Sequence, residues 1–145
     1  MIQKIVKNKE VLAIILRANY RSAGIEFFTP NEYSQQLGYM NRTKGYKILP
    51  HIHNKVRRSV EFTNEVLLIK SGKVRVDFYD KHKSYFKSEL LHKGDVILLV
   101  KGGHGFEMIE NSEMIEIKQG PYVDDKDKTR FASVDKEKIK LKEKI

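Results

Sequence analysis

Residues 73–79 alternate without a break: Val74, Val76 and Phe78 fall on one side of the chain, and Lys73, Arg75 and Asp77 on the other. A period of two marks a half-buried β-strand and does not suit a helix. Around this stretch, strand-length runs recur about every ten residues, the rhythm of a β-sandwich or barrel. Residues 11–16, 24–28, 33–40, 46–53, 65–70, 85–91, 96–100, 104–109 and 114–118 read as further strands. Turn formers separate them, among them Thr29-Pro30-Asn31, Ser71-Gly72, Gly94-Asp95, Gly102-Gly103, Asn111-Ser112 and Gly120-Pro121. Helical periodicity is weak throughout, so the expected fold class is all-β.

The chain of 145 residues suits one domain. That domain is expected over residues 1–123, followed by a charged extension over 124–145 in which Arg130 and Phe131 are candidates to pin the tail to the body. The absence of cysteine excludes disulfides, thiolate zinc sites and cysteine nucleophiles, and it suits a reducing, cytoplasmic setting. With 28 Lys+Arg against 19 Asp+Glu the net charge is +9, which favours anionic ligands. Much of the excess sits at the ends, in Lys4, Lys7 and Lys9 and in Lys136, Lys138, Lys140 and Lys142. No recognition helix, zinc-finger spacing or aromatic RNA-binding signature accompanies it, so no specific nucleic-acid role is expected. The apolar run 11–16 spans six residues and ends at Arg17, too short for a bilayer. It reads as an extra N-terminal strand that either covers its own barrel or pairs across a homodimer.

The chemistry concentrates in His51-Ile52-His53, Glu65 and His104. In an extended chain His51 and His53 share a side, because positions i and i+2 do. Glu65 opens an apolar strand, and His104 opens another whose same-side residues, Phe106 and Met108, read as core-facing. Three imidazoles and a carboxylate suit a divalent first-row metal with one or two positions left open, the mark of a catalytic site. Glu61 is a rival carboxylate. Arg57 and Arg58 are candidates to clamp a phosphate or carboxylate. Tyr39 and Tyr46, with Gln35 or Gln36, are candidates to line a pocket.

This pattern resembles the cupin family over residues 45–120. His51-x-His53, then Glu65, six residues and Gly72, matches the first cupin motif; Gly94-Asp95, Gly102 and His104 match the second. The chain departs from the family in the eleven residues between His53 and Glu65, in Val100 where a proline is usual, and in a His104 set one residue closer to Gly102. The resemblance implies a double-stranded β-helix, a jelly-roll barrel, holding one divalent metal (Zn, Fe, Mn or Ni) on His51, His53, Glu65 and His104.

The size, the dyad stretch, Gly-Phe-Glu-Met at 105–108 and Lys-Gln-Gly-Pro-Tyr at 118–122 are similar to the small single-domain cupins of polysaccharide biosynthesis, which include nucleotide-sugar ketoisomerases. The similarity implies isomerase or epimerase-type proton transfer on a sugar or sugar nucleotide. His51 or His53 then serves as the acid/base group if no metal binds, and Glu61 or a tyrosine if the histidines hold the metal. Those ketoisomerases use histidine without metal and lack a carboxylate matching Glu65, so Glu65 favours a metal here. Two alternatives stay open: a metal-dependent oxygenase, and a non-catalytic module that binds a sugar or small anion.

Overall fold

The computed structural model describes residues 1–141; the last four residues of the expected charged extension lie outside the described residues. The described chain is all-β and antiparallel, with ten strands and two short 3-10 turns. It divides into two compact units, one formed by Met1–Tyr20 with Thr63–Ile145 and the other by Arg21–Phe62. No helix among the described residues is long and apolar enough to cross a membrane.

The first unit holds two sheets. Strands β1 (Ile2–Lys7), β2 (Glu10–Leu16), β5 (Glu65–Ser71), β8 (Val96–Leu99) and β10 (Glu113–Lys118) form a five-stranded sheet in the order β1-β2-β8-β5-β10. Strands β6 (Lys73–Tyr79), β7 (Tyr85–His92) and β9 (Gly103–Met108) form the second sheet in the order β7-β6-β9. One hydrophobic cluster joins them. Leu12, Ala13, Ile15, Leu67, Ile69, Ile97 and Leu99 come from the larger sheet, and Val74, Val76, Phe78 and Leu91 from the smaller. The packing is barrel-like: each strand gives alternate side chains to a shared interior.

Strand β1 lies outside the expected elements. It pairs with β2 through Asn8 and Lys9, both at positive φ (51° and 67°), the geometry of a two-residue hairpin turn. The N-terminal addition is therefore a hairpin and not a lone strand. In it β2 lies between β1 and β8, so residues 11–16 present no free edge to a second copy.

The polar face of β6 is not the solvated face that its alternation suggests. Arg75 and Asp77 are 4% and 3% exposed. The extension after Pro121 forms 3-10 turns at Asp124–Asp127 and Lys136–Lys138 and covers this side. Along its length the Val134 N–H donates to the Tyr79 hydroxyl (2.9 Å), the Lys140 N–H to the Tyr85 hydroxyl (2.8 Å), and the Ser88 N–H to the Lys140 carbonyl (3.0 Å).

The second unit carries the hairpin β3 (Gly24–Phe27) and β4 (Gly38–Asn41). Gln36 braces its long loop: its Oε1 accepts from Thr29 Oγ1 (2.7 Å), and its amide donates to the carbonyls of Pro30 (3.0 Å) and Tyr33 (2.9 Å). The expected extended run over 33–40 is thereby shortened to β4. The expected strand over 46–53 does not form; residues 46–60 are exposed and outside any ladder. Pro50 supplies no N–H to a ladder, and the ring of His51 contacts the Leu49 carbonyl through Nδ1 at 3.0 Å, a local bond in place of a cross-strand one.

Candidate functional site

Glu65 and His104 meet because two sheet-to-sheet crossings place them together. Glu65 opens β5, and its cross-strand neighbours are Leu99 on β8 and Lys118 on β10. Just after Leu99 the chain leaves the larger sheet, turns at Gly102 and enters the smaller one as β9. His104 thus falls beside the residue that Leu99 paired with. Gly102 has φ +73°, and a Cβ there would lie 2.5 Å from the Tyr79 carbonyl oxygen, so only glycine fits this corner. At the other end of β5, Gly72 has φ +79°, and its Cβ would meet the Asn111 carbonyl at 2.3 Å.

The His104 Nε2 lies 3.0 Å from Glu65 Oε2, with the imidazole side chain 31% exposed and the carboxylate 17%. The hydrogen bond from His104 holds the Glu65 carboxyl below its ordinary value; burial opposes this, and the charges of His104, Lys118 and Lys128 add to the lowering. In the tautomer that directs Nε2–H at Glu65, the ring's lone pair lies at Nδ1, the atom able to act as a base. The ring also lies 5.5 Å from that of Phe106, which packs against the core. Met108, expected to face the core, is exposed.

The frame around the pair includes residues that the motif did not single out. Asn64, buried at 6%, donates its side-chain amide to the Val100 carbonyl (2.9 Å), and its backbone N–H donates to Gln119 Oε1 (2.8 Å). These bonds tie the start of β5 to the end of β8 and to the residue after β10. Thr63 Oγ1 donates to Asp127 Oδ2 at 3.2 Å, bringing the extension to the same end of the sheet. A polar residue adjoining a motif carboxylate was the only sequence signal for Asn64.

The other sequence candidates lie in the second unit. His51 and His53 face each other edge to face, with ring centroids 5.2 Å apart, as an extended stretch allows. Arg57 and Arg58 lie in the exposed stretch, and Glu61 sits in a bend after it. Tyr39 is on β4, opposite Glu26. Tyr46 carries the Arg42 guanidinium over its ring at 4.5 Å. Gln35 Oε1 is buried with no hydrogen-bond partner among the described residues. Among the described residues, no group of three or more His, Asp or Glu side chains is gathered to hold a metal ion.

A separate depression of about 360 Å³ in the first unit is lined in part by Arg17, Glu89, Asp95 and Leu141. Its guanidinium is engaged within the fold. Arg17 donates to Asp95 (2.9 Å), the Leu90 carbonyl (2.6 Å), Gln3 (2.8 Å) and Glu89 (3.4 Å). The depression is therefore a structural brace between the first hairpin and the β7–β8 turn.

Comparison with protein-family profiles, with curated proteins and with solved structures finds no match to this chain.

Proposed function

We propose that the chain is a cupin-type enzyme that moves a proton on a sugar or sugar-nucleotide substrate, in the manner of an isomerase or epimerase. The observation that carries this reading is the Glu65–His104 contact of 3.0 Å, formed by residues nearly forty positions apart on different sheets. The pairing of β5 with β8 and β10, and of β6 with β7 and β9, supports a double-stranded β-helix: apart from the β6–β7 hairpin, the chain changes sheet at each connection from β5 to β10, as the strands of a jelly roll do.

In this reading His104 accepts and returns the proton at Nδ1, while Glu65 orients the ring and stabilises the imidazolium that forms. A carboxylate behind an imidazole serves the same purpose in other acid/base sites. Positioned general acid–base catalysis of this type contributes about 10²–10⁴-fold.

A second reading is favoured by the same separation. Nitrogen and oxygen ligands about 2.1 Å from a divalent metal and at right angles lie about 3.0 Å apart, so Nε2 of His104 and Oε2 of Glu65 fit adjacent positions on one ion. Such a metal would polarise a substrate carbonyl. The two uses compete for Nε2, and the experiment separates them. Elemental analysis of the purified chain comes first; then proton exchange into candidate nucleotide sugars and hexose phosphates is followed by NMR in D₂O. The acid/base reading expects metal-free protein to catalyse exchange, with a loss of about 10²-fold or more in His104→Gln. Stoichiometric metal in the parent that is lost from Glu65→Gln and His104→Gln selects the second reading; the same analysis of His51→Ala and His53→Ala tests the imidazole pair. Exchange unchanged in His104→Gln removes that residue as the base.

A further inference from the structure

We infer that the C-terminal extension is a working part of this site and that Phe131 is a positioning residue for His104. The inference rests on the acid/base reading above and deepens it. Among the described residues strand β9 is a sheet edge, with β6 as its one strand partner, so the ladder fixes it from one side. Its first two residues, Gly103 and His104, pair with Tyr79 and Phe78. Successive residues point to opposite faces. The side of Gly103 is therefore the outer face that carries Tyr79, and His104 points the other way, with Phe78.

Phe131 closes on that outer face. Its ring meets the Tyr79 ring edge to face, with centroids 5.0 Å apart and planes at 85°. It also lies directly against Gly103: a Cβ on that glycine would be 2.8 Å from Phe131 Cζ and 3.3 Å from Cε1. The ring fills the place where any other residue at position 103 would carry a side chain. It thus presses on the backbone immediately before His104, opposite the imidazole. The ring is itself held in place. Lys83 Nζ sits over it at 5.9 Å, and the bond from the Val134 N–H to the Tyr79 hydroxyl (2.9 Å) pins the following residues of the extension.

The contact that the ring supports is sensitive to small shifts. A hydrogen bond at 3.0 Å loses its geometry with a displacement of about half an ångström. With Phe131 reduced to alanine, Gly103 keeps the cross-strand Tyr79 side chain beside it (3.2 Å from a Cβ at that position) but loses the ring that closes over it, and the start of β9 is free to move outward by that amount. The extension thereby couples its own attachment to the geometry of the Glu65–His104 pair.

The test uses the full chain, ¹⁵N-labelled, and reads the downfield Nε2–H proton that His104 donates to Glu65, assigned by its absence in His104→Gln. Phe131→Ala should lose this resonance while the amide signals of β5, β6 and β7 stay in place, and Phe131→Tyr should retain it. Persistence of the resonance in Phe131→Ala overturns the inference and leaves the pair standing. Absence of the resonance from the parent removes the Nε2–H bond to Glu65, and with it both this inference and the acid/base reading. Should Phe131→Ala not fold, Gly103→Ala tests the same contact from the other side: its methyl collides with the ring and should abolish the resonance. Gly103→Ala with Phe131→Leu should bring it back; failure to do so overturns the inference.

Discussion

Asp77→Ala isolates the most exacting consequence of the covered face. Asp77 is 3% exposed and accepts from Arg75 Nε at 2.8 Å and Nη2 at 2.9 Å, with a third bond from the Ser88 hydroxyl. Removing the carboxylate leaves a guanidinium that is itself 4% exposed and cannot deprotonate. Truncating one partner of a buried ion pair costs about 3–5 kcal/mol, because the remaining charge is stranded. Here Arg75 keeps Glu107 at 2.8 Å, and that carboxylate is 42% exposed, so the loss should fall at the lower end, about 3 kcal/mol. A domain of ordinary stability holds about 5–15 kcal/mol in total, so the variant should remain folded but be visibly weakened.

Urea denaturation followed by far-ultraviolet circular dichroism measures this. With a slope of about 1–3 kcal/mol per molar, the midpoint should fall by about 1–3 M at an unchanged slope. Arg75→Met with Asp77→Leu removes both charges together and should cost less than Asp77→Ala alone, since an apolar pair strands no ion. A loss below about 1 kcal/mol for Asp77→Ala would mean that water reaches the pair. The extension would then not cover the smaller sheet in solution, and the backing that Phe131 gives to His104 would fall with it.

Two further outcomes follow from local geometry. Gly102→Ala should lower stability by about 2–4 kcal/mol, since φ is +73° and the new methyl lies 2.5 Å from the Tyr79 carbonyl oxygen; an unchanged thermal midpoint would show that the corner adapts. The Asp80 carboxyl is held down to about 2, first by its hydrogen bond to Lys7 and then by the Ser84 and His82 N–H groups. A depressed carboxylate stabilises the fold above its unfolded value of 3.8, and that contribution fades as pH falls through the window toward 2. Lys7→Met should flatten the dependence of the thermal midpoint on pH in that window, and parallel curves for parent and variant would refute the link.

Much of the fold and part of the site could be read from the sequence, for reasons that trace to particular residues. The alternation of 73–79 identified β6 and its core face, because side-chain period is a local property. It did not reveal what lies over Arg75 and Asp77, since a period distinguishes two faces without naming their cover. The sequence hint of that cover was the pair Arg130 and Phe131 in a charged tail. The hairpin turn at Asn8–Lys9 was hidden because lysine rarely takes positive φ and the flanking lysines mask the apolar positions of β1. Glu65 and His104 were legible as two of the four ligands that the cupin resemblance implies; the structure brings these two together, and the glycines in their motifs, Gly72 and Gly102, are corners that admit no other residue. The spacing between those glycines therefore encodes where the chain changes sheets. Nothing comparable fixes the stretch 46–53. Its alternation of Leu49, His51 and His53 against Ile48, Pro50 and Ile52 fits an extended chain, but a strand exists only when a neighbour takes its N–H and C=O groups. The difference between the two halves of the cupin-like pattern is therefore one of backbone constraint. Where a glycine corner dictates the path, distant residues meet; where only side-chain identity repeats, the sequence leaves the path undetermined.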